Sequence, residues 1–462
     1  MKSSCVHFGA LIWAVALLST SAAEAAQAIA PLDSNVPPRA AATDLKQIAA
    51  KRQQLMAAMM RDPSNLDIAF EYASLSAEAG DLEGAISTLE RMLIFAPGLP
   101  RLDLELGVLY FRLGAHDTAL SYFQAALDPA NHAPAPVREK VEAYIAAIGK
   151  QSQPNQFSGS ISFGTQYQTN ANGGPSSLFV DLNGLPFVLS QSAASTPDTN
   201  AYAAGSFVYS KDLADQGDRF VVGLQSYGSL YKQETQLNTG ASELTFGPQF
   251  NLQRFHIDDA SLAMYGIAGG VLLGGYPYLA SDGFGLNVQK GLGPRLHLGL
   301  TSEFRNQTYF NSPDQPLATD RNGSNVRLLA TAQYHVSDAF SVFAGATSER
   351  RNAEAGYLSL LQLGASLGGT VVFASPLPQL ADPWSFTLWG GYLQRNHDAP
   401  DPIVNVAQAE VEHEFDIQGT LNVPLQQGWS MQTTLSYRDV KSNYDIDNTT
   451  DTSALVGFTK QF

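Results

Sequence analysis

Four carboxylates alternate with other residues late in the chain: Glu410, Glu412, Glu414 and Asp416. In a β-strand, a spacing of two places all four on the same face. Like charges this close repel unless water or cations separate them. Four arginines that also fall on polar faces of strand-like segments are candidate partners: Arg295, Arg305, Arg327 and Arg438.

Two interpretations of this charge cluster stay open. Facing a lumen, the charges would create a transverse field that orients a passing or gating segment. Alternatively, ion pairs among them would hold a barrel wall rigid or closed. His413 falls on the opposite, apolar face, and the pattern does not explain it.

The sequence contains no recognisable catalytic motif, and we predict that the protein is not an enzyme. The chain has no G-x-S-x-G, H-E-x-x-H or phosphate-loop motif, and its eight histidines are scattered. Its single cysteine, Cys5, lies in the predicted leader, so the mature chain would have no thiol. We therefore predict no catalytic residue, no cofactor and no metal site. A net charge of −16 argues against nucleic acid as a partner.

The strands that would position these charges follow from period-two alternation between residues 157 and 462. One face of each segment is apolar, as expected for contact with outer-membrane lipid, and the other face is polar, as expected for a lumen. Long polar loops alternate with short turns. We predict an antiparallel transmembrane barrel of about fourteen strands: 157–168, 200–211, 218–231, 238–250, 259–272, 280–291, 294–306, 325–336, 338–350, 357–373, 383–396, 409–425, 428–440 and 452–462.

The segment Thr452–Phe462 resembles the closing strand of a bacterial outer-membrane barrel. Ala454, Val456, Phe458 and Phe462 share one face, and Phe458 and Phe462 form the expected barrel-terminal signal. An even number of strands places both barrel ends on the periplasmic side.

Residues 44–150 are predicted to form a periplasmic α-helical solenoid, because helix pairs repeat there at a spacing of 34 residues. Small residues would let the helices of a hairpin approach closely, and aromatic residues would fill the space between hairpins. The fold class is therefore an α-helical tetratricopeptide solenoid followed by a β-barrel. Seven positions match the tetratricopeptide pattern: Leu106, Gly107, Tyr110, Gly114, Ala119, Phe123 and Ala126.

The start of the chain has the pattern of an export signal. Lys2, an apolar stretch from Phe8 to Leu18 and an A-x-A cleavage pattern at Ala23–Ala25 predict a signal peptide over residues 1–25. Residues 26–43 are rich in Ala and Pro and are predicted to be a flexible N-terminus. The predicted location is the bacterial outer membrane, with the repeats in the periplasm.

The junction between repeats and barrel resembles the surface lipoprotein assembly modifier family. Pro136-Val137-Arg138 looks like the family's helix start after the final repeat. The segment from Gln168 to Pro175 resembles its DxNxNxAP-like motif, with Gln168 in place of Asp and Gly174 in place of Ala. Lys460 departs from the aromatic or apolar residue often found two before the terminal Phe.

The resemblance implies transport of specific proteins, either lipoproteins to the surface or soluble cargo to the outside. The implied partners are cargo protein, a periplasmic chaperone and the barrel assembly machinery. An exopolysaccharide export porin also joins such repeats to a barrel and is the alternative, although its repeat region is usually longer. A passive nutrient porin would not explain the repeats.

Overall fold

The computed structural model describes residues 42–462 except 63, 64, 80, 114, 152–154, 214–216, 256, 258, 294 and 381. The predicted signal peptide, Cys5 and nearly all of the flexible N-terminus lie outside the described residues, as do Gly80 and Gly114. The described chain forms two compact units, one helical and one made of strands.

The described part of the helical unit has six helices: α1 Ala42–Arg61, α2 Leu66–Glu78, α3 Leu82–Phe95, α4 Pro100–Arg112, α5 His116–Ala126 and α6 Ala135–Gln151. Local signals explain where several begin. Asn65 caps α2 by accepting from the backbone N–H of Ile68, Asp81 caps α3 in the same way, and Pro100 opens α4. None of the described helices has the length and apolar character needed to span a membrane.

Helices α4, α5 and α6 pack around Phe123, which is fully buried and stacks on Tyr144 with ring centroids 5.2 Å apart. Gly107 makes room for this ring, because a Cβ there would lie 2.4 Å from Phe123 Cε1. Leu106, Ala119 and Ala126 are also fully buried. Six of the seven predicted repeat-packing positions are described, and five of them are buried.

The sixth described position, Tyr110, is half-buried and joins three helices. Its hydroxyl donates to Glu90 Oε1 at 2.7 Å, and the Tyr122 hydroxyl contacts the same oxygen at 3.2 Å. The bond to Glu90, with burial, raises the pKa of Tyr110 to about 12. Tyr110 and Tyr122 stack with centroids 5.4 Å apart. The aromatic positions therefore fill the space between hairpins, with a carboxylate at the centre.

The second unit is a closed barrel of fourteen antiparallel strands, which confirms the predicted fold class. A small hairpin, β2–β3, lies outside the barrel sheet. The strands are β1 Asn155–Gln168, β2 Phe179–Leu182, β3 Leu185–Val188, β4 Asp198–Asp212, β5 Arg219–Tyr231, β6 Thr239–Asn251, β7 Ala260–Leu273, β8 Tyr276–Leu292, β9 Leu296–Tyr309, β10 Gly323–Ser337, β11 Phe340–Ala353, β12 Leu360–Phe373, β13 Trp384–His397, β14 Val411–Pro424, β15 Trp429–Ser442 and β16 Thr449–Gln461.

We call the rim where β1 begins and β16 ends the near rim, and the opposite rim the far rim. The longest connections, 169–197, 310–322 and 398–410, all lie on the far rim. The β7–β8 link on that rim is only Gly274-Gly275, whose positive φ angles of 59° and 85° make a tight turn. The ten-residue link 374–383 on the near rim is longer than expected for that side.

Candidate functional site

The two faces of the barrel wall differ sharply in chemistry. Large apolar side chains on one face are between 38% and 67% exposed, far more than a soluble core would leave. Buried polar and charged side chains line the other face. This is the arrangement of bacterial outer-membrane barrels, with an apolar outside and a polar inside. The apolar set includes Leu244, Phe246, Phe284, Leu286, Leu300, Leu363, Leu367, Leu388, Ile417, Leu435 and Val456.

Three of the four alternating carboxylates, Glu412, Glu414 and Asp416, share the inner face of β14, and Glu410 lies just before the strand. Glu414 lies at the centre of the cluster. It is only 2% exposed and bonds two arginines from the flanking strands. Arg395 Nη2 on β13 donates to Glu414 Oε2 at 2.6 Å, and Arg438 Nε on β15 lies 3.2 Å from Glu414 Oε1. Arg438 also donates to Asp416 Oδ1 at 3.0 Å. Charges of opposite sign therefore alternate across three strands.

Arg395 is the residue that the sequence analysis missed. It donates to Glu412 Oε2 at 2.7 Å and to Gln362 Oε1 at 2.9 Å, so it joins β12, β13 and β14. It is also the direct cross-strand partner of Glu412. The sequence did offer a signal for this contact. Arg395 lies on the polar face of β13, near the end of that strand that the 398–410 loop connects to Glu412 on β14.

The other three predicted arginines do not contact the β14 carboxylates. Arg305 on β9 forms a separate cluster with Glu243 at 2.5 Å and Glu303 at 3.0 Å. Arg327 lies between Glu303 and Glu349 in the strand register. Arg295 is exposed in the near-rim turn before β9, at the opposite end of the barrel. The structure thus distributes the predicted charges among separate sites.

The Arg305 cluster reaches across the wall from β9 to β6. Tyr265 on β7 completes it by donating to Glu303 Oε1 at 2.9 Å. Gly285 lies beneath the tyrosine ring, and a Cβ there would come within 2.3 Å of Tyr265 Cζ. A side chain at this position would displace the tyrosine, so the glycine allows the aromatic ring to lie against the wall.

Glu410 lies at the far rim, just before β14. Its Oε1 accepts from the Ser442 hydroxyl at 2.8 Å, and its Oε2 lies 3.7 Å from His397 Nε2. Burial and the neighbouring Asp447 carboxylate raise the pKa of Glu410. Burial and the nearby Glu412 charge likewise raise the pKa of Asp447. Three carboxyl groups, those of Glu410, Glu412 and Asp447, therefore lie close together at this end of the cluster.

The segment that resembles the DxNxNxAP-like motif fastens the far end of the barrel seam. Asn170 exchanges two 2.8 Å hydrogen bonds with the backbone of Gly174. Asn172 bonds Ala194 O and Thr196 N at 2.8 and 2.9 Å. The Asp451 carboxylate accepts from the Asn170 backbone N–H at 2.9 Å. These bonds join the two ends of the loop after β1 to each other and attach the loop to β16.

The predicted barrel-terminal residues lie at the same seam, toward the near rim. Phe458 packs against Phe163, with centroids 6.1 Å apart. The Phe462 ring lies 5.8 Å from Phe157 and 6.0 Å from Phe207, and its backbone exchanges hydrogen bonds with Gly159. The seam between β16 and β1 is therefore covered by aromatic rings on its outer face.

His413 also has an explanation in the structure. Its ring stacks beside Tyr392 on the outer face, and its Nδ1 lies 2.7 Å from the tyrosine hydroxyl. The imidazole therefore has a polar partner on an otherwise apolar surface.

No protein-family model matches the chain. No curated protein matches it either. Among solved structures, the chain is similar to the outer-membrane channel DcaP of Acinetobacter baumannii. The two are 9% identical with a TM-score of 0.35, and the match covers 67% of this chain and 97% of that chain. The loop L8 deletion mutant of OmpT, an outer membrane protein of Vibrio cholerae, is 8% identical with a TM-score of 0.34, covering 67% of this chain and 100% of that one.

A helical similarity is found to PcrH in complex with the chaperone binding region of PopD. It has 16% identity and a TM-score of 0.20, covering 26% of this chain and 100% of that one. At these TM-scores the structural similarities carry no argument about function.

Proposed function

We propose that this protein is a translocator in the bacterial outer membrane that helps to export or display specific cargo proteins. The observation that carries the proposal is the combination, in one chain, of a closed barrel with a charged inner wall and a separate unit of packed helical hairpins. A solenoid of this type commonly binds protein. A passive pore for small solutes would not explain the presence of this solenoid. The resemblance to the surface lipoprotein assembly modifier family supports the same function.

Exposed apolar side chains on the helical unit support binding of a hydrophobic cargo segment or a chaperone. Met60 and Ile94 are 79% and 77% exposed, and Phe95 is 53% exposed. Ile94 and Phe95 are adjacent in the chain, and an exposed apolar patch often marks an interaction site. We infer that the unit works in the periplasm and recruits cargo there.

A deletion strain complemented with either the full chain or a form lacking residues 44–150 tests this function. We expect the shortened form to insert as a folded barrel while a specific protein stays inside the cell. Quantitative proteomics of surface and secreted fractions measures the effect, and heat-modifiable migration on gels confirms barrel folding. Loss of extracellular polysaccharide with an unchanged surface proteome would instead support the polysaccharide exporter. Small-solute conductance through the purified, intact protein would support a porin.

A pair of single substitutions on α3 gives a finer test. Ile94→Asp places a charge in the exposed apolar surface, whereas Ser87→Asp places the same charge at an exposed polar position. We expect Ile94→Asp to strand cargo and Ser87→Asp to leave export unchanged. Equal export by both variants would argue against this surface as the cargo site.

A further inference from the structure

The imidazole of His397 is held in one orientation by a backbone bond. Its Nδ1 lies 2.7 Å from the carbonyl oxygen of Tyr357. A carbonyl oxygen only accepts hydrogen bonds, so Nδ1 carries the proton. In the neutral ring, Nε2 is then an unprotonated acceptor. The His397 side chain is 10% exposed, and its Nε2 lies 3.7 Å from Glu410 Oε2.

Nε2 of His397 faces two carboxylates. Glu410 Oε2 is 3.7 Å away, beyond hydrogen-bond range, and one ligand atom each from His397, Glu410 and Glu412 lie within 4.8 Å of one another. The Glu410 and Glu412 side chains are 12% and 17% exposed. Three acceptor atoms therefore converge in a largely buried space, an arrangement that repels itself unless a cation or a proton lies between them.

The two arginines of the cluster are already bonded to carboxylates of β14. Arg395 divides its two terminal nitrogens between Glu412 and Glu414. Arg438 bonds Glu414 and Asp416. Glu410 receives a hydrogen bond from the neutral Ser442 hydroxyl, which brings no positive charge. Asp447 adds a further carboxylate beside Glu410.

We propose that His397, Glu410 and Glu412 bind a divalent transition-metal cation, with Zn²⁺ as the best match. One imidazole nitrogen and carboxylate oxygens suit zinc, whereas calcium and magnesium prefer all-oxygen sites. Zinc–ligand distances are about 2.0–2.2 Å, so the observed spacing needs only small side-chain rotations to close around the ion. A hydrogen bond from the other ring nitrogen to a backbone carbonyl, like this Nδ1–carbonyl bond, commonly orients a metal-ligating histidine.

Such an ion would link neighbouring connections of the far rim. His397 and Glu410 lie at the two ends of the β13–β14 connection, and the carbonyl that orients His397 belongs to the 354–359 link. Glu410 is bonded in turn to Ser442 at the end of β15. The ion would therefore reduce the mobility of these loops, independently of which cargo the barrel serves.

Zinc binding to the purified full-length protein tests the proposal. The affinity tag is removed, the protein is stripped with chelator in detergent, and ZnCl₂ is titrated by calorimetry with MgCl₂ as the comparison ion. We expect one Zn²⁺ per chain and weakening of at least about tenfold in His397→Gln and in Glu410→Gln. The matched control is His413→Gln, which removes an imidazole from the same strand pair but from the outer face.

X-ray absorption at the zinc edge on the wild-type protein needs no variant. We expect one imidazole nitrogen and carboxylate or water oxygens at about 2.0–2.2 Å. Heat-modifiable migration establishes that each variant is folded. Less than a tenth of an equivalent of zinc on the wild-type protein would overturn the proposal. Affinity in folded His397→Gln equal to that of the wild type would also overturn it.

Discussion

Arg395 donates a hydrogen bond of 2.6 Å to Glu414 across the β13–β14 pair, although the two side chains are only 9% and 2% exposed. A buried charge that loses its partner is strongly destabilising, since neither water nor another cation replaces the lost contact. This pair is therefore the point where the inner wall is most sensitive to substitution.

Replacing Arg395 with Met should destabilise the barrel by about 3–5 kcal/mol, because Glu412 loses its cation and Glu414 loses one of two. Urea unfolding followed by tryptophan fluorescence measures the change. The control is Arg350→Met, which breaks a pair with Asp398 whose side chains are 41% and 37% exposed. That change should cost less than about 1 kcal/mol. Equal effects would show that burial does not set the strength of these pairs.

Asn170→Ala should weaken the far end of the seam. It leaves the buried carbonyl of Gly174 without its side-chain donor and the Gly174 N–H with the longer 3.2 Å bond to Asn172, at a cost of about 1–3 kcal/mol for the unsatisfied carbonyl. The comparison variant is Asn306→Ala, which loses only a 3.5 Å contact to Asp282 and should change stability by less than about 0.5 kcal/mol. Loss of heat-modifiable migration at a lower temperature in Asn170→Ala alone is the expected result.

Gly107→Ala should destabilise the helical unit by about 1–3 kcal/mol, because the new methyl group overlaps the Phe123 ring. Far-UV circular dichroism of the full chain at the helical band measures melting. The control is Gln124→Ala, which changes the exposed residue next to Phe123 and should leave the melting of the helical unit unchanged. Adding Phe123→Leu to Gly107→Ala should cost less than the sum of the two single changes, since the smaller side chain relieves the overlap. Additive costs would rule out this contact as the cause.

Leu367→Arg should impair membrane insertion by about 2–4 kcal/mol, because Leu367 is 67% exposed at the middle of β12 on the apolar face. The adjacent Ser366 lies on the inner face, so Ser366→Arg places the same charge toward the lumen. Refolding yield into lipid vesicles compares the two. A lower yield for Ser366→Arg than for Leu367→Arg would reverse the assignment of the faces.

The barrel could be predicted closely because its period-two alternation sets strand number and side-chain direction together. Each of the fourteen predicted segments overlaps an observed barrel strand. The β2–β3 hairpin was not predicted, since strands of four residues within a long loop leave little periodic signal. Phe123 and Gly107 were identified by their match to the tetratricopeptide pattern, because that pattern reflects which helices must meet.

The partners within the charge cluster were harder to predict. Alternation identified a shared face for Glu414 and Arg438 but not the register that brings Arg395 between Glu412 and Glu414. A shift of one residue would turn each of these side chains to the other face. Arg295 shows the opposite error: it was assigned to the polar face of a strand, yet it is exposed in the turn before β9.

The seam between β1 and β16 pairs the first strand of the barrel with the last one, which delays closure of the barrel. Thr169 and Asp451, which bond across the seam, are 282 residues apart, so β1 is synthesised long before its partner strand. Until β16 arrives, β1 presents an unpaired edge that other chains could join. Pairings between such distant segments form slowly. The newly made chain should therefore depend on a chaperone that covers β1 until β16 pairs with it and closes the barrel.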